Sequence, residues 1–414
     1  MKTVSTLIVG AGQAGLAMSL ALKSRDIDHV LLERGSVGHA WRTQRWDSLT
    51  TLTPNWANGL PGAPYVGADP NGFMPVSELV RNLESAAAKI DAPVQRDTDV
   101  QSVTRRDDGF QVDTSNGPFR CRSLVVATGA CAQAHLPAVA AALPHGVEQT
   151  TPARYKRPGD LPDGQVLVVG ASASGVQIAR ELARAGRSVI LSVGSHMRLP
   201  RRYRGHDIES WLDLLGFMDE RADDIDDLLR ARHLPSPQLQ GGSDPVDLNA
   251  LQSLGVTIVG RLVDIRGDRA VFSGGLSGLV TGADLKMTRL LDDVDRWVHS
   301  NGLERLIDGP DRPADTRLAL HQPLDWALGQ GGIRSVFWAT GFRPSLQWLT
   351  LPAFDARLRL RHRNGVVTVP GIYAMGLPIL RRRRSHQISG VEGDAKALSE
   401  HLHGFLNGRA GIAA

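Results

Sequence analysis

Two glycine-rich turns, each set between an apolar strand and a helical pattern, constrain the fold of this chain more than any other feature. The first turn, Gly10-Ala-Gly12-Gln-Ala-Gly15, follows the apolar run Val4 to Val9 and precedes a helical pattern that extends to Leu22. In such a turn the first glycine permits the tight bend, the second lets the backbone approach a pyrophosphate, and the third packs the helix on the strand. The helix then presents free N–H groups to the phosphates. The N-terminal part of the chain is therefore predicted to bind a dinucleotide.

An acidic residue supports the same interpretation. A second apolar strand, His29 to Leu32, ends at Glu33, which lies 23 residues after Gly10. An acid at about this spacing accepts a hydrogen bond from a ribose hydroxyl of the dinucleotide. A chance glycine-rich loop would lack this order of strand, turn, helix, strand and acid. Gly10, Gly12, Gly15 and Glu33 are therefore predicted cofactor-binding residues.

The same unit recurs 160 residues later, where Val166 to Val169 predicts a strand and Gly170-Ala-Ser172-Ala-Ser174-Gly175 the turn. A helix over Val176 to Ala185 and a strand over Ser188 to Ser192 complete the unit. Serine replaces the middle glycine but still permits close approach because its side chain is small. We predict Gly170, Ser172, Ser174 and Gly175 as contacts to a second dinucleotide. Two such sites imply electron transfer between two cofactors, and the alternative is a second unit that serves only as scaffold.

Small residues also stand at the ends of three further predicted strands. Leu124 to Gly129 and Ser335 to Gly341 both end in Ala-Thr-Gly, and Pro370 to Gly376 ends in glycine. Small residues at strand ends let a loop pass close to a cofactor. The predicted contacts at these ends are Thr128, Gly129, Thr340, Gly341 and Gly376.

The repeat predicts an α/β fold with two Rossmann-like dinucleotide-binding domains, the second inserted into the first. Residues 1–150 and 335–414 are predicted to form the first domain. Residues 151–334 are predicted to form the inserted domain, with a helical extension. Two domains also suit a chain of 414 residues, which is too long for one ordinary core.

Composition excludes several other classes of protein. The pI is about 9.3, but the formal net charge is only +4 and acidic residues are scattered along the chain, so nucleic-acid binding is not expected. The one basic block, Arg381 to Arg384, is predicted to be a solvated turn. Acidic residues such as Asp244 and Asp247 show no metal-ligand spacing, so no metal site is predicted.

The expected location is the cytoplasm. Cys121 and Cys131 are too few for a disulfide scaffold and suit a reducing compartment. No apolar run approaches the roughly 20 residues that span a bilayer, so no membrane span is predicted. The alternative is that Lys2 to Leu22 is a signal peptide, which the glycine-rich interruption makes the poorer interpretation.

These motifs resemble the single-component flavin-dependent monooxygenases of the flavin-containing type, in which an NAD(P)-binding domain is inserted into an FAD-binding domain. The resemblance covers most of the chain and includes Gly38-x-x-Trp41-Arg42 after Glu33 and both Ala-Thr-Gly strand ends. It implies FAD at the first turn, with Trp41 and Arg42 among its contacts, and NAD(P)H at the second turn. It also implies that reduced nicotinamide delivers hydride to the flavin, which then captures O₂ as a C4a-(hydro)peroxide.

The resemblance also implies a candidate catalytic residue. Asn55, in Thr53-Pro54-Asn55-Trp56, lies where the family often places an amide near the flavin. An amide there could donate a hydrogen bond to a peroxide oxygen. The alternative is a turn residue beside Pro54. In the stretch before the second turn, His145, Val147 and Thr151 stand where the family has Phe, Gly and His.

The coenzyme preference rests on basic residues after the second strand of the second unit. His196, Arg198, Arg201 and Arg202 follow that strand. Arginine forks match phosphate geometry, so Arg198 is the candidate for the 2′-phosphate of NADPH. NADPH is expected to be preferred weakly, with NADH also accepted. The alternative is a solvated basic loop.

The expected function is that of an FAD-dependent, NAD(P)H-consuming monooxygenase that inserts one oxygen atom into a small organic substrate at nitrogen, sulfur or a carbonyl carbon (Baeyer–Villiger type). The first alternative is a reductase that passes electrons to a protein or small-molecule acceptor. Its thioredoxin-reductase-like version needs a CxxC motif that this sequence lacks. The second alternative is a non-enzymatic flavoprotein. The expected partners are the substrate and O₂, and a homodimer is compatible with the sequence.

Overall fold

The computed structural model of the protein describes residues 1–60 and 62–408. Its strands, numbered in chain order, are β1 (Lys2–Val9), β2 (His29–Leu32), β3 (Val94–Gln95), β4 (Val100–Arg106), β5 (Gly109–Thr114), β6 (Phe119–Val126), β7 (Gln133–Ala134), β8 (Glu148–Thr150), β9 (Gln165–Val169), β10 (Val189–Ser192), β11 (Arg202–Tyr203), β12 (His206–Asp207), β13 (Thr257–Val259), β14 (Leu262–Arg266), β15 (Arg269–Phe272), β16 (Asp325–Ala327), β17 (Ile333–Trp338), β18 (Phe342–Arg343), β19 (His362–Arg363), β20 (Val366–Val367) and β21 (Ile372–Ala374). The α-helices are α1 (Gln13–Lys23), α2 (His39–Thr43), α3 (Val76–Lys89), α4 (Ala173–Arg184), α5 (Ile208–Leu214), α6 (Leu228–Arg232), α7 (Leu248–Ser253), α8 (Leu276–Ser300) and α9 (Val391–Leu406).

The first sheet carries the N-terminal dinucleotide turn near its centre. Its strand order is β19-β20-β21-β6-β1-β2-β3, with β4 and β5 attached to β6. Strands β21, β6, β1, β2 and β3 run parallel. Leu7 and Ile8 of β1 are fully buried, and the apolar sides of α1, α3 and α9 join the strands in one core. Parallel strands are apolar along their length because both faces of such a sheet are covered.

The second sheet has five parallel strands in the order β13-β10-β9-β17-β8. Its central strand β9 contributes Val166, Leu167 and Val168, which are fully buried. Helices α4 and α7 pack in the same core. The two parallel sheets confirm the predicted α/β fold with two Rossmann-like units.

Two strands lie in a different sheet from the one that we predicted. β8 lies within residues 1–150 and most of β17 within residues 335–414, yet both pair in the second sheet, where β17 lies between β9 and β8. An Ala-Thr-Gly ending marks a strand beside a cofactor but does not tell which of two similar sheets the strand joins. The part of the boundary prediction that assigns these strands to the first domain therefore needs correction.

The chain crosses between the two units at adjacent points. β7 follows the first Ala-Thr-Gly end and pairs antiparallel with β18, which follows the second. The His135 backbone N–H donates to the Gly341 carbonyl at 2.9 Å, and the Thr340 hydroxyl donates to the His135 carbonyl. We propose that the domain boundaries lie in this paired linker, near residues 133 and 342.

A mainly helical segment, residues 199–239, extends the second unit and is called the excursion below. Residues 199–239 and the C-terminal half of α8 share a separate core cluster, in which Trp211 packs edge-on against Trp297 with ring centroids 6.0 Å apart. Trp297 is therefore a packing residue. Within residues 1–60 and 62–408 we find no helix that is both long and apolar enough to cross a membrane.

Candidate functional site

A cavity of about 2390 Å³ lies between the two units and is lined by both of them. The turn after β1 contributes Gly10 and Gly12, and the turn after β9 contributes Gly170 and Ser172. Both turns therefore open at the carboxyl ends of parallel strands, where open α/β sheets bind their ligands. The cavity brings the two predicted dinucleotide sites together.

Packing explains why the first turn needs glycine at its outer positions. Gly10 has a φ of +107°, and a Cβ there would lie 2.6 Å from the Ala127 carbonyl oxygen. A Cβ on Gly15 would overlap the Gly10 carbonyl, so Gly15 serves the helix–strand contact and does not line the cavity. A Cβ on Gly12, in contrast, would meet no protein atom within 4 Å. The space in front of Gly12 is therefore open to a ligand.

Glu33 stands at the end of β2 as predicted and is 8% exposed at the cavity wall. One carboxylate oxygen accepts the Ala11 backbone N–H at 2.8 Å, and the other accepts the Gly35 N–H at 3.3 Å. These bonds fix the carboxylate beside the turn. A carboxylate oxygen has two lone pairs, so Glu33 can also accept hydrogen bonds from ribose hydroxyls.

The second turn repeats the first with one difference. A Cβ on Gly170 would overlap the Ala339 carbonyl, and one on Gly175 would overlap the Gly170 carbonyl. Ser172 has φ −84° and ψ −178°, close to the −89° and −168° of Gly12, so the two turns share one backbone conformation. Ser172 and Ser174 line the cavity, whereas Gly175 packs the helix on the strand.

The predicted strand-end residues line the same cavity. They are Thr128, Gly129, Thr340, Gly341 and Gly376. Gly376 has a φ of +69°, and a Cβ there would lie 2.9 Å from the Ala14 Cβ, so this loop passes directly over the start of α1. The end of β21 therefore approaches the first dinucleotide turn.

Of the two residues predicted from the Gly38-x-x-Trp41-Arg42 motif, only Trp41 lines the cavity. Its indole N–H donates to the Gln13 side chain at 3.3 Å. Arg42 instead points to solvent and pairs with Glu84 at 2.6 Å, so its prediction as an FAD contact needs correction. Arg45 takes the inward position, with its guanidinium 4.9 Å from the Trp41 ring centroid. Arg42 lies in α2, whereas Arg45 follows the end of this helix at Thr43, and the motif does not encode this difference in direction.

The geometry gives Asn55 a structural position rather than a catalytic one. Its amide nitrogen donates to the Asp69 carbonyl at 2.9 Å, and its amide oxygen accepts the Met74 backbone N–H at 2.9 Å. Asn55 is 5% exposed and does not line the cavity. Its amide therefore holds the loop before α3. This corrects our prediction that Asn55 is a catalytic residue near the flavin. Asn58, one turn further along, does line the cavity.

Arg198 is also displaced from its predicted role. It is 3% exposed and pairs with Asp247 at 2.6 Å and with Asp284 at 2.8 Å, and it does not line the cavity. Burial opposes its charge, but the hydrogen bonds to Asp284 and Asp247 outweigh this effect and raise its pKa. Arg198 therefore ties α7 to α8, and no phosphate can reach it without breaking these pairs.

A different arginine occupies the position expected for phosphate recognition. Arg261 follows β13, the strand beside β10, and lines the cavity. Its guanidinium donates to the Ser195 hydroxyl at 3.2 Å and lies beside Gly194, just after the end of β10. We find no carboxylate paired with it in the described part of the chain. Sequence reasoning missed Arg261 because the neighbouring parallel strand, not the strand of the motif, carries it.

The Arg381 to Arg384 block joins the two units and is not the solvated turn that we predicted. Its ion pairs to the inserted unit are Arg382 with Asp219, Arg383 with Glu220, and Arg384 with Asp213 and Asp219. The Ala222 backbone N–H also donates to the Arg381 carbonyl at 2.8 Å. This contact holds the excursion of the second unit against the loop that follows Gly376.

The residues present fit an FAD at the first turn and a nicotinamide dinucleotide at the second. The first turn offers open space at Gly12, a helix N-terminus and a fixed acid at the strand end. The second offers the same backbone with Ser172, and a serine and Arg261 at the strand end. Such an arrangement brings two redox cofactors to one cavity, where hydride can pass between them.

Comparisons with known proteins agree with this geometry. The family model of pyridine nucleotide-disulphide oxidoreductases matches residues 7–212. A CzcO-like oxidoreductase from Geobacillus kaustophilus is 31% identical over 95% of this chain and 97% of its own length. The indole-3-pyruvate monooxygenase YUCCA6 from Arabidopsis thaliana is 33% identical over 48% of this chain and 50% of its own length.

Among solved structures, a flavin-containing monooxygenase from Stenotrophomonas maltophilia superposes with a TM-score of 0.69 at 18% identity, covering 98% of this chain and 99% of that one. At this identity the superposition shows the shared fold. The full-length match to the Geobacillus protein shows the family. The chain belongs to the CzcO-like oxidoreductases and has the fold of the flavin-containing monooxygenases.

Proposed function

We propose that the protein is an FAD-dependent, NADPH-consuming monooxygenase that inserts one oxygen atom into a small organic substrate. The observation that carries the proposal is the shared cavity, into which both dinucleotide turns open. A flavin and a nicotinamide held by these two turns would share one cavity, which O₂ would also have to enter. Exclusion of water is what preserves an oxygen adduct of flavin long enough to react with a substrate.

The identity of the first cofactor follows from the first turn. Glu33 is fixed for a ribose, and the loop after β21 passes over the start of α1, so the ligand extends from β2 across β1 towards β21. FAD is the flavin that carries an adenosine ribose and a pyrophosphate. These features support FAD at this site.

The preference for NADPH follows from Arg261. A guanidinium without a carboxylate partner among residues 1–60 and 62–408, beside a serine and a glycine at a strand end, suits a 2′-phosphate. Glu33 has no acidic counterpart at the end of β10, where Ser192 to Ser195 stand. An acid there would favour the free ribose of NADH, so its absence from this segment supports NADPH.

The contacts between the units support a closed reaction space. Trp46, from the first unit, is 5% exposed and packs in the core of the second unit, and Lys156 donates to the Thr43 and Arg45 carbonyls at 2.7 and 2.6 Å. The ion pairs of Arg382 to Arg384 with residues 213–220 form a second set of contacts between the two units. When bound, the flavin supplies the oxygen chemistry, and the protein positions the cofactors and excludes water.

The function of one named relative supports the oxygenase. YUCCA6 is a monooxygenase that is 33% identical over 48% of this chain. The substrate need not be the same, because the pocket residues that select it belong to each chain. We propose oxygen transfer to nitrogen, sulfur or a carbonyl carbon of a small molecule.

Labelled oxygen tests the proposal. Holoenzyme supplied with NADPH and ¹⁸O₂ is incubated with separate panels of amines, sulfides and ketones, and the products are analysed by mass spectrometry. We expect at least one panel to accelerate NADPH consumption and to yield a product that carries one ¹⁸O atom. If no product carries the label while ferredoxin or another protein acceptor is reduced efficiently, the protein is a reductase.

A further inference from the structure

A buried carboxyl group of the inserted unit lines the shared cavity. Glu209 lies in the first turn of α5, is 9% exposed and lines the cavity. In the described part of the chain we find no donor that bonds its carboxylate. Burying a carboxylate without a hydrogen bond is costly, so a group kept in this position needs a reason.

Glu209 lies where three segments of the two units meet. Arg201, just before α5, donates to the Leu52 carbonyl at 2.8 Å and pairs with Asp207. Arg384, from the C-terminal segment of the first unit, pairs with Asp213 on α5. Leu52 lines the cavity, as do His386 to Ile388, which follow Arg384. Glu209 therefore occupies the junction of both units and not the outer surface of α5.

The charges around Glu209 come from every segment packed against it and largely offset each other. Burial raises its pKa to about 7. Arg201 and Arg384 lower the pKa, whereas Asp207 and Asp213 raise it. The carboxyl group therefore gains and loses its proton near neutral pH, where a general acid is most effective.

The stoichiometry of the reaction calls for a proton in this cavity. Monooxygenation converts substrate, O₂, NADPH and H⁺ into oxygenated substrate, NADP⁺ and H₂O. The hydride of NADPH supplies two electrons and one hydrogen nucleus, so one further proton enters in every turnover. Reduction of a two-electron acceptor A to AH₂ has the same requirement. A titratable group that lines the cavity can deliver this proton.

We propose that Glu209 is the proton donor of the shared cavity. The O–H bond of its carboxylic acid breaks, and the proton goes to the oxygen atom that leaves as water, while the carboxylate keeps the electron pair and is reprotonated from solvent. The inference rests on the proposed function for the identity of the proton acceptor. The delivery of one proton per turnover holds for the reductase alternative as well.

A spectroscopic titration tests the proposal without catalysis. The absorbance of the bound flavin is recorded between about pH 5 and pH 9, since a negative charge that forms in the cavity of the flavin is expected to change its spectrum. We expect the wild-type holoenzyme to show a transition with its midpoint near pH 7. Glu209→Gln keeps the shape of the side chain but cannot ionise, so the transition is expected to disappear.

Glu181→Gln provides the matched control. Glu181 is another glutamate of the inserted unit. It is half-buried and burial raises its pKa, but it lies on α4 and does not line the cavity. This variant is expected to keep the wild-type transition. Glu209→Asp, which keeps an ionisable group, is expected to keep a transition with a shifted midpoint and covers the case in which Glu209→Gln binds FAD poorly.

Steady-state kinetics provide the second readout. The kcat of the wild type is expected to fall above about pH 7, where the acid form is lost, and Glu209→Gln is expected to show a kcat about 100-fold lower and independent of pH in this range. KM for NADPH is expected to stay unchanged.

Two results of the spectroscopic titration overturn the proposal: a wild type without the pH transition, or a Glu209→Gln variant that retains it. Absence of ¹⁸O in the products, in contrast, overturns only the oxygenase assignment.

Discussion

The two dinucleotide turns share a backbone but differ at the residue that faces the ligand. Gly12 leaves open space in the first turn, whereas Ser172 places a side chain at the equivalent position of the second. The strand ends differ as well, with a fixed carboxylate at Glu33 and with Ser195 and Arg261 in the second unit. Close approach and a ribose acceptor suit a cofactor that stays bound, whereas a side chain in the turn and a nearby cation suit a phosphorylated cofactor that exchanges in every turnover. We propose that one fold serves these two kinetic roles.

The largest expected effect concerns which arginine of the second unit recognises phosphate. Arg198→Ala leaves the buried carboxylates of Asp247 and Asp284 without their shared partner. Breaking a buried pair in this way costs about 3 to 5 kcal/mol of folding stability. We expect a large fall in Tm, measured by calorimetry, with no change in the NADPH/NADH preference of the protein that remains folded. A changed preference at unaltered Tm would return Arg198 to the coenzyme site.

The first turn is tested by Gly12→Val. Because a Cβ at Gly12 meets no protein atom within 4 Å, the variant is expected to fold with its secondary structure intact. The added side chain occupies the space of the pyrophosphate, so FAD affinity is expected to fall about 100-fold, equivalent to about 2.7 kcal/mol. Flavin content after purification and circular dichroism measure the two expectations.

Ser172→Val is the matched change in the second turn. It is expected to leave flavin content unchanged and to raise the Kd for NADPH. If Gly12→Val retains a full complement of FAD, the first turn is not the FAD site. If Ser172→Val loses FAD instead, the assignment of the two turns is reversed.

Arg261→Ala tests the proposed basis of NADPH preference. Loss of one charged hydrogen-bonding partner costs about 1.5 to 3 kcal/mol, so the NADPH/NADH ratio of flavin reduction rates is expected to fall by about 10- to 100-fold. The rate with NADH is expected to stay close to that of the wild type. Arg266→Ala is the control, because Arg266 is an exposed arginine of β14 that pairs with Asp264 and does not line the cavity. An equal loss with both coenzymes in Arg261→Ala would indicate a general defect of the site.

The parts of this site that could be predicted from the sequence are those fixed by local backbone geometry. Gly15, Gly175 and Glu33 follow from clashes and hydrogen bonds within one strand–turn–helix–strand unit, and Gly10 and Gly170 follow from the positive φ of the turn. Arg198 could not be placed in this way, because its partners lie 49 and 86 residues further along the chain. β17 could not be assigned to its sheet, because both sheets end their strands with small residues.

The smallest expected effect separates a structural from a catalytic asparagine. Asn55→Ala removes bonds to the Asp69 carbonyl and the Met74 N–H, so stability is expected to fall by about 1 to 3 kcal/mol. Because Asn55 does not line the cavity, hydrogen peroxide leakage per NADPH consumed is expected to remain at the wild-type level. Increased leakage at unchanged stability would restore our sequence-based prediction for this residue.

The central claim, that the shared cavity protects an oxygen adduct of the flavin, is tested most directly by stopped-flow spectroscopy. The holoenzyme is reduced by NADPH without oxygen and then mixed with oxygenated buffer, and flavin absorbance is followed. We expect a transient C4a-(hydro)peroxyflavin before oxidised flavin returns, because the proposed oxygenase must keep water from its bound flavin. Reoxidation in a single phase, with efficient reduction of a protein acceptor such as ferredoxin, would contradict the account.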